Sequence, residues 1–201
     1  MISRLPRTFF ARPALEVAEA LVGRVLIGES ADGVVAGRLV EVEAYCGADD
    51  PASHAYRNKT RRNEVMFGPA GHLYVYFTYG MHFCSNIVTD EDGVAGAVLL
   101  RAVEPSEGLD LMAARRGVSE PRLLARGPAR LCQAFGLTRA HNGLDLCSSG
   151  ELWVSDEEPR LAGPVRTSAR IGIKPEHDQP WRFFEEGQFT SGKKASVNLL
   201  A

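Results

Sequence analysis

The chain has 201 residues, 45% hydrophobic and 24% charged, with 23 lysines and arginines against 25 aspartates and glutamates and a formal net charge of −2. This balance fits a soluble globular domain long enough to bury one sizeable core. It excludes a globally basic nucleic-acid binder but leaves room for a local basic face, and no apolar run approaches a membrane span.

The first seven residues lack the apolar centre of a signal peptide, so a cytoplasmic protein is expected. Residues 13–22 predict a helix with proline near its start and Gly23 at its C-terminal cap. Strands are expected at 24–27 and 34–45, followed by a long polar functional loop at 47–63. Leu73–Thr78 is a strong strand, and Tyr79-Gly80 turns it into a second strand at 81–88. A strand at 96–103 ends near Glu104-Pro105, and helices follow at 106–116, closed by Gly117, and at Pro128–Phe135, closed by Gly136. Short segments remain at 151–154, 169–173 and 180–185. With no repeat and no linker, the expected fold is a single α+β domain over 1–201, a mostly antiparallel curved sheet with packed helices.

Cys46, Cys84, Cys132 and Cys147 lie far apart and form no Cys-x-x-Cys pair, so reduced, mostly buried thiols are expected. The five histidines form no His-Glu-x-x-His motif, and there is no Gly-rich phosphate loop. Neither a metal nor an organic cofactor is expected.

Candidate chemistry begins at Val40-Glu41-Val42-Glu43-Ala44-Tyr45. Strand alternation puts Glu41, Glu43 and Tyr45 on one face. A carboxylate two residues from an aromatic ring can activate a water while the ring stacks a flat substrate. The same pattern also describes a half-buried strand with glutamates on its wet side. Four aromatic residues stand at 74, 76, 77 and 79. Parity puts Tyr74 and Tyr76 on one face and Val75 and Phe77 on the other, with Phe77 expected in the core and Tyr79 at the hairpin tip. Arg57, Lys59, Arg61 and Arg62 form one candidate phosphate-binding cluster; Arg115 with Arg116, Arg122 with Arg126 and Arg130, and Lys193 with Lys194 form others.

The ordered combination is more specific than any of its parts. It runs through Glu43-Ala44-Tyr45, His54, Arg62-Asn63, Met66-Phe67-Gly68-Pro69, Leu73-Tyr74-Val75-Tyr76, Tyr79-Gly80-Met81, Phe83-Cys84, Asn86, Leu99-Leu100-Arg101-Ala102 and Glu104-Pro105. It continues in Phe9-Phe10, Gly127-Pro128, Leu131-Cys132-Gln133-Ala134, Arg170-Ile171-Gly172 and Trp181-Arg182-Phe183. In this order and spacing the chain resembles the alkyladenine (3-methyladenine) DNA glycosylase family over nearly its whole length.

That resemblance implies a monofunctional enzyme of base excision repair. It would flip alkylated or deaminated purines from double-stranded DNA and hydrolyse the N-glycosidic bond, working as a monomer and away from membranes. It implies Glu43 as general base and Arg101 as the residue positioning the water and the flipped nucleotide's phosphate. Tyr45, His54 and Tyr76 become the walls around the base, Asn86 the group crowding the guanine 2-amino position, and Tyr79 the intercalating wedge. Met66-Phe67 would press against the DNA. Glu41 matches no catalytic position and reads as surface or structural. No lysine matches a nucleophile, so strand cleavage is not expected. A binding module without catalysis would not need Glu43, and a hydrolase of free nucleosides would need neither Tyr79 nor basic clusters.

Overall fold

The computed structural model describes residues 3–78, 80–174 and 179–192. Within them the chain forms α1 (Arg7–Phe10), α2 (Ala14–Leu21), β1 (Val25–Ser30), β2 (Gly33–Tyr45), β3 (Leu73–Thr78), β4 (His82–Thr89) and β5 (Gly96–Glu107). There follow α3 (Leu109–Arg116), α4 (Pro121–Leu124), α5 (Pro128–Phe135), β6 (Leu152–Val154), β7 (Arg166–Ser168) and β8 (Arg182–Phe184). The strands make one curved antiparallel sheet in the order β3-β4-β5-β2-β1-β6, with β8 joined to β2 and β7 to β8. The architecture is α+β, as the sequence led us to expect. No helix of the described residues is long and apolar enough to cross a membrane.

Strand β2 organises the molecule. β5 follows one of its edges, while β1 and then β8 occupy the other. The two faces of the sheet then do different work. Val42, Ala44, Leu73, Val75, Ile87, Val98 and Leu100 point into the main core. Helix α2 packs there through Ala14, Val17, Ala18 and Leu21, the i, i+3, i+4, i+7 stripe of an amphipathic helix, and α5 through Leu131, Cys132, Ala134 and Phe135. The opposite face carries Tyr74, Val88 and Ala97, joined by Ala55 and Met66 from the long loop. This second, smaller cluster underlies the candidate site.

Several expectations need correction. The helix predicted at 106–116 starts at Leu109, because β5 runs on through Pro105 to Glu107 and Gly108, at φ 69°, turns the chain. The second of the short segments is a strand at Arg166–Ser168 rather than 169–173, and Arg170 is drawn into a buried ion pair. Helices α1 and α4, four residues each, were too short for a 3.6-residue period to declare them. Phe77 is not core. It is 43% exposed at the end of β3, where only β4 flanks it and Phe83 is its ring neighbour at 5.1 Å. The two glutamates of β2 lie on no wet face, for both are fully buried. Cys84 and Cys132 are buried thiols as expected, whereas Cys46 and Cys147 are partly exposed.

Candidate active site

A pocket of about 450 Å³, counted out to its mouth, opens on the face opposite the helices. That size suits a drug-sized or nucleobase-sized ligand. Tyr45, His54, Met66, Tyr74, Tyr76 and Asn86 line it with Ala52, Ala97 and Ile173. Four of the residues predicted from sequence, Tyr45, His54, Tyr76 and Asn86, therefore meet around one cavity. Strands β2, β3 and β4 supply three of them from the same sheet face, and the long loop brings His54 across.

The aromatic walls are fixed by one another. Tyr74 and Tyr76 stack with centroids 5.6 Å apart, and His54 meets Tyr76 edge to face at 4.5 Å. His54 Nδ1 lies 3.0 Å from the Tyr74 hydroxyl. The His54 loop is pinned from below by the buried Asn63, whose amide donates to the His54 carbonyl at 2.8 Å and whose oxygen accepts from Thr60 N–H at 2.6 Å. Lost hydration at its packed edge, and then the Arg62 cation, hold the His54 pKa below its ordinary value, although the residue as a whole stays exposed. The imidazole is therefore neutral at pH 7. Burial pushes the Tyr45 and Tyr76 hydroxyls up, so both stay neutral. A cationic purine would meet three uncharged π faces.

Tyr45 is locked from behind. The Arg170 guanidinium lies 4.6 Å from its ring centroid and pairs with Asp50 through Nη1 at 2.5 Å and Nη2 at 2.8 Å. Both partners are buried. Gly47 begins the turn that brings Asp50 there, at φ 59°, and a Cβ on it would sit 2.0 Å from the Ala95 carbonyl oxygen.

Glu43 and Arg101 do not line the pocket; they sit behind it, buried. Glu43 Oε2 accepts the Tyr45 hydroxyl at 3.1 Å, while Oε1 accepts Ile171 N–H at 2.7 Å and approaches Arg101 Nη1 at 3.2 Å. Burial raises the Glu43 pKa despite the Arg101 charge, which suits a general base. Arg101 shares this face by parity, since Leu99 opposes Glu43, and it sits at a bulge. Glu41 opposes Ala102 and Val42 opposes Leu100, so Arg101 is an extra residue of β5 with no ladder partner on β2.

The remaining expectations fare differently. Asn86 lies buried on interior strand β4, where its amide donates to the Tyr74 carbonyl at 3.2 Å. Met66 is a buried pocket wall rather than a surface pressed outward, and Phe67 packs partly buried against the same cluster. Tyr79, Lys193 and Lys194 lie outside the described residues. Arg57, Lys59, Arg61 and Arg62 are exposed beside the site, with Arg62 donating to the Phe77 carbonyl at 3.4 Å. Among the described residues no cluster of three metal-binding side chains occurs. Sequence reasoning missed Tyr74, which shares the parity of Tyr76, and the Asp50–Arg170 clamp, whose arginine stood in a quoted motif.

Comparison with known proteins gives the family. The sequence model of the family described as Methylpurine-DNA glycosylase (MPG) matches residues 8–189. A protein of Burkholderia lata named "Putative 3-methyladenine DNA glycosylase" is 50% identical over 191 residues, covering 94% of this chain and 91% of its own. Proteins of the same name are 46% identical in Chlorobaculum tepidum, over 92% of this chain and 89% of theirs, and 46% identical in Carboxydothermus hydrogenoformans, over 94% and 99%.

Proposed function

Since this chain belongs to the methylpurine-DNA glycosylase family and is a hydrolase of N-glycosyl bonds in DNA, we propose that it flips a damaged purine into the pocket between Tyr45, His54 and Tyr76 and releases it with water activated by Glu43. The observation that carries this reading is the bond from the Tyr45 hydroxyl to Glu43, 3.1 Å long. It joins the wall that would stack the base to a buried carboxylate held beside it by Arg101 and the Ile171 N–H.

The chemistry needs both parts. Hydrolysis through an oxocarbenium-like transition state calls for a base beside the anomeric carbon, and the negative charge of Glu43 favours the sugar cation. Glu43 Oε2 accepts the Tyr45 hydroxyl on the pocket side and keeps a second lone pair for a water, while the Ile171 N–H holds the other oxygen. Arg101 keeps a positive edge next to the carboxylate, where it can orient the water and meet a phosphate. The neutral aromatic walls favour alkylated, cationic purines, and the Asn86 amide, held by the Tyr74 carbonyl, crowds a 2-amino group. Deaminated purines, which lack that group, fit the same edge.

Duplex DNA is the substrate form that explains the surroundings. Phe77 and Met81, 43% and 69% exposed, flank the hairpin tip beside the pocket, and the exposed arginines of the long loop rim it. Tyr79, by the family pattern, intercalates where the base leaves. The mechanism asks for one copy of the chain and no cofactor.

The test is single-turnover base release from duplexes carrying one lesion each, read before alkali treatment. Wild type should release a methylated purine without cutting the strand. Glu43→Gln should lose on the order of 10²–10⁴ in rate while still binding the duplex. Excision by the variant within about threefold of wild type, against that range, would remove Glu43 from the mechanism.

A further inference from the structure

We propose that Glu41 is a positioning residue of the active site: it shares Arg101 with Glu43 and so keeps the guanidinium from closing onto the base. The inference rests on the reading of Glu43 as general base. Glu41 is wholly buried. Its Oε1 accepts Arg101 Nε at 2.8 Å and Arg182 Nε at 2.7 Å, and its Oε2 accepts the Ser191 N–H. Arg101 then has only Nη1 for Glu43, at 3.2 Å, while its Nη2 donates to the Ser191 hydroxyl at 3.2 Å.

This arrangement costs more than a simple pair. Two carboxylates on one strand face repel, and each must be neutralised. A lone Arg101 beside a lone Glu43 would form the side-on, two-bond pair that guanidinium and carboxylate prefer. Such a pair would add a charged donor to each oxygen of Glu43, beyond the Tyr45 hydroxyl and the Ile171 N–H already there, and weaken it as a base. Glu41 takes the Nε edge of Arg101 instead and leaves a single nitrogen near Glu43. Arg101, two residues from the Leu99 that opposes Glu43, stands at the β5 bulge and reaches both glutamates at once. Arg182, fixed by Ser168 Oγ at 3.0 Å and the Ser191 carbonyl at 2.8 Å, supplies the second cation the cluster needs.

The charge and hydrogen-bond arguments give opposite variants opposite signatures. The groups around Glu43 are Glu41 and Tyr45 of β2, Arg101 of β5, Tyr76 of β3, Cys84 of β4, Arg182 opposite it on β8, and Arg170 behind Tyr45. Glu41→Gln removes the one other carboxylate among these and must also turn an NH2 toward a site that now receives N–H donors. The acid limb of the excision rate should move to lower pH, and the plateau should fall by about 10²-fold as Arg101 loses its orientation. Arg182→Met removes a cation and leaves Glu41 charged, so the limb should move to higher pH.

The experiment is single-turnover excision of a methylated purine by wild type, Glu41→Gln and Arg182→Met across the acid range, with thermal melting of each protein. A limb moved to lower pH in Glu41→Gln and to higher pH in Arg182→Met supports the proposal, and any other pattern in two folded variants overturns it, as does failure of both variants to fold, which makes Glu41 purely structural. Where one variant folds, the direction of its limb alone decides. Wild-type protein that releases no base defeats the glycosylase mechanism itself, an outcome distinct from active wild type with an unmoved limb.

Discussion

Asp50→Asn isolates the clamp behind the pocket. The Asp50–Arg170 pair has side-chain exposures of 1% and 0% and two direct contacts of 2.5 and 2.8 Å. The Asp50 oxygens also accept the Ala52 N–H at 3.0 Å and the Cys46 N–H at 3.3 Å, so one carboxylate fixes both the loop and the arginine. Removing one charge from a buried pair costs about 3–5 kcal/mol, because the other stays buried without its counter-charge. Here Glu43 supplies some compensation and asparagine keeps one acceptor oxygen, which sets the expectation at the low end, about 3 kcal/mol. For a chain of this size that is a fall in Tm of roughly 6–12 °C. Arg170 also packs on the Tyr45 ring at 4.6 Å and precedes the Ile171 N–H that binds Glu43, so excision should drop as well, by up to about 10²-fold. Urea unfolding gives the stability term, and single-turnover base release gives the functional one. The double variant Asp50→Asn with Arg170→Met should recover much of the stability but not the rate, since the Tyr45 support stays lost. A loss below about 1 kcal/mol would mean the pair is worth no more than a surface bridge, and the reasoning from burial would fail.

Other outcomes follow from the same geometry. Burial raises the folded-state pKa of Glu43, so its neutral acid form favours folding; that contribution is full below the unfolded pKa and is lost as pH rises through the folded value and the carboxylate forms. Glu43→Gln should therefore melt no lower than wild type at pH 7 while losing excision, a combination that calorimetry and the excision assay check together. Asn86→Ser should raise release of guanine relative to hypoxanthine in matched duplexes, because the shorter side chain relieves the clash at the 2-position; a fixed ratio in a folded variant would leave Asn86 as a structural bond to the Tyr74 carbonyl. Tyr79→Ala should weaken binding to lesion duplexes by about 1–3 kcal/mol in a titration, with little change in Tm. Gly47→Ala should cost far more stability than an ordinary loop substitution, since the new methyl carbon meets the Ala95 carbonyl at 2.0 Å; melting within a degree or two of wild type would show that the turn adapts.

The sequence by itself determined the chemistry available to the protein. Period-two alternation put Glu43 beside Tyr45 and Tyr74 beside Tyr76, because strand parity depends on the backbone alone, and the strand Leu73–Thr78 and helix Pro128–Phe135 appeared at the boundaries expected. Proline at the start of α5 and glycine after it are local signals that need no partner. Burial was not legible, because it depends on what the rest of the chain lays over a face. Glu41 and Glu43 read as well on a wet surface as in an ion cluster, and only Ser191, Ile171 and β8 arriving from far along the chain covered them. Phe77 read as core and is exposed, because among the described residues β3 is an edge strand paired with β4 alone. The position of Arg101 beside Glu41 and Glu43 was decided by the pairing register of two strands about sixty residues apart, which neither strand states alone. The same holds for Asp50 and Arg170, separated by 120 residues, where attraction between opposite charges in a low-dielectric interior, not any local pattern, fixed the wall of the pocket.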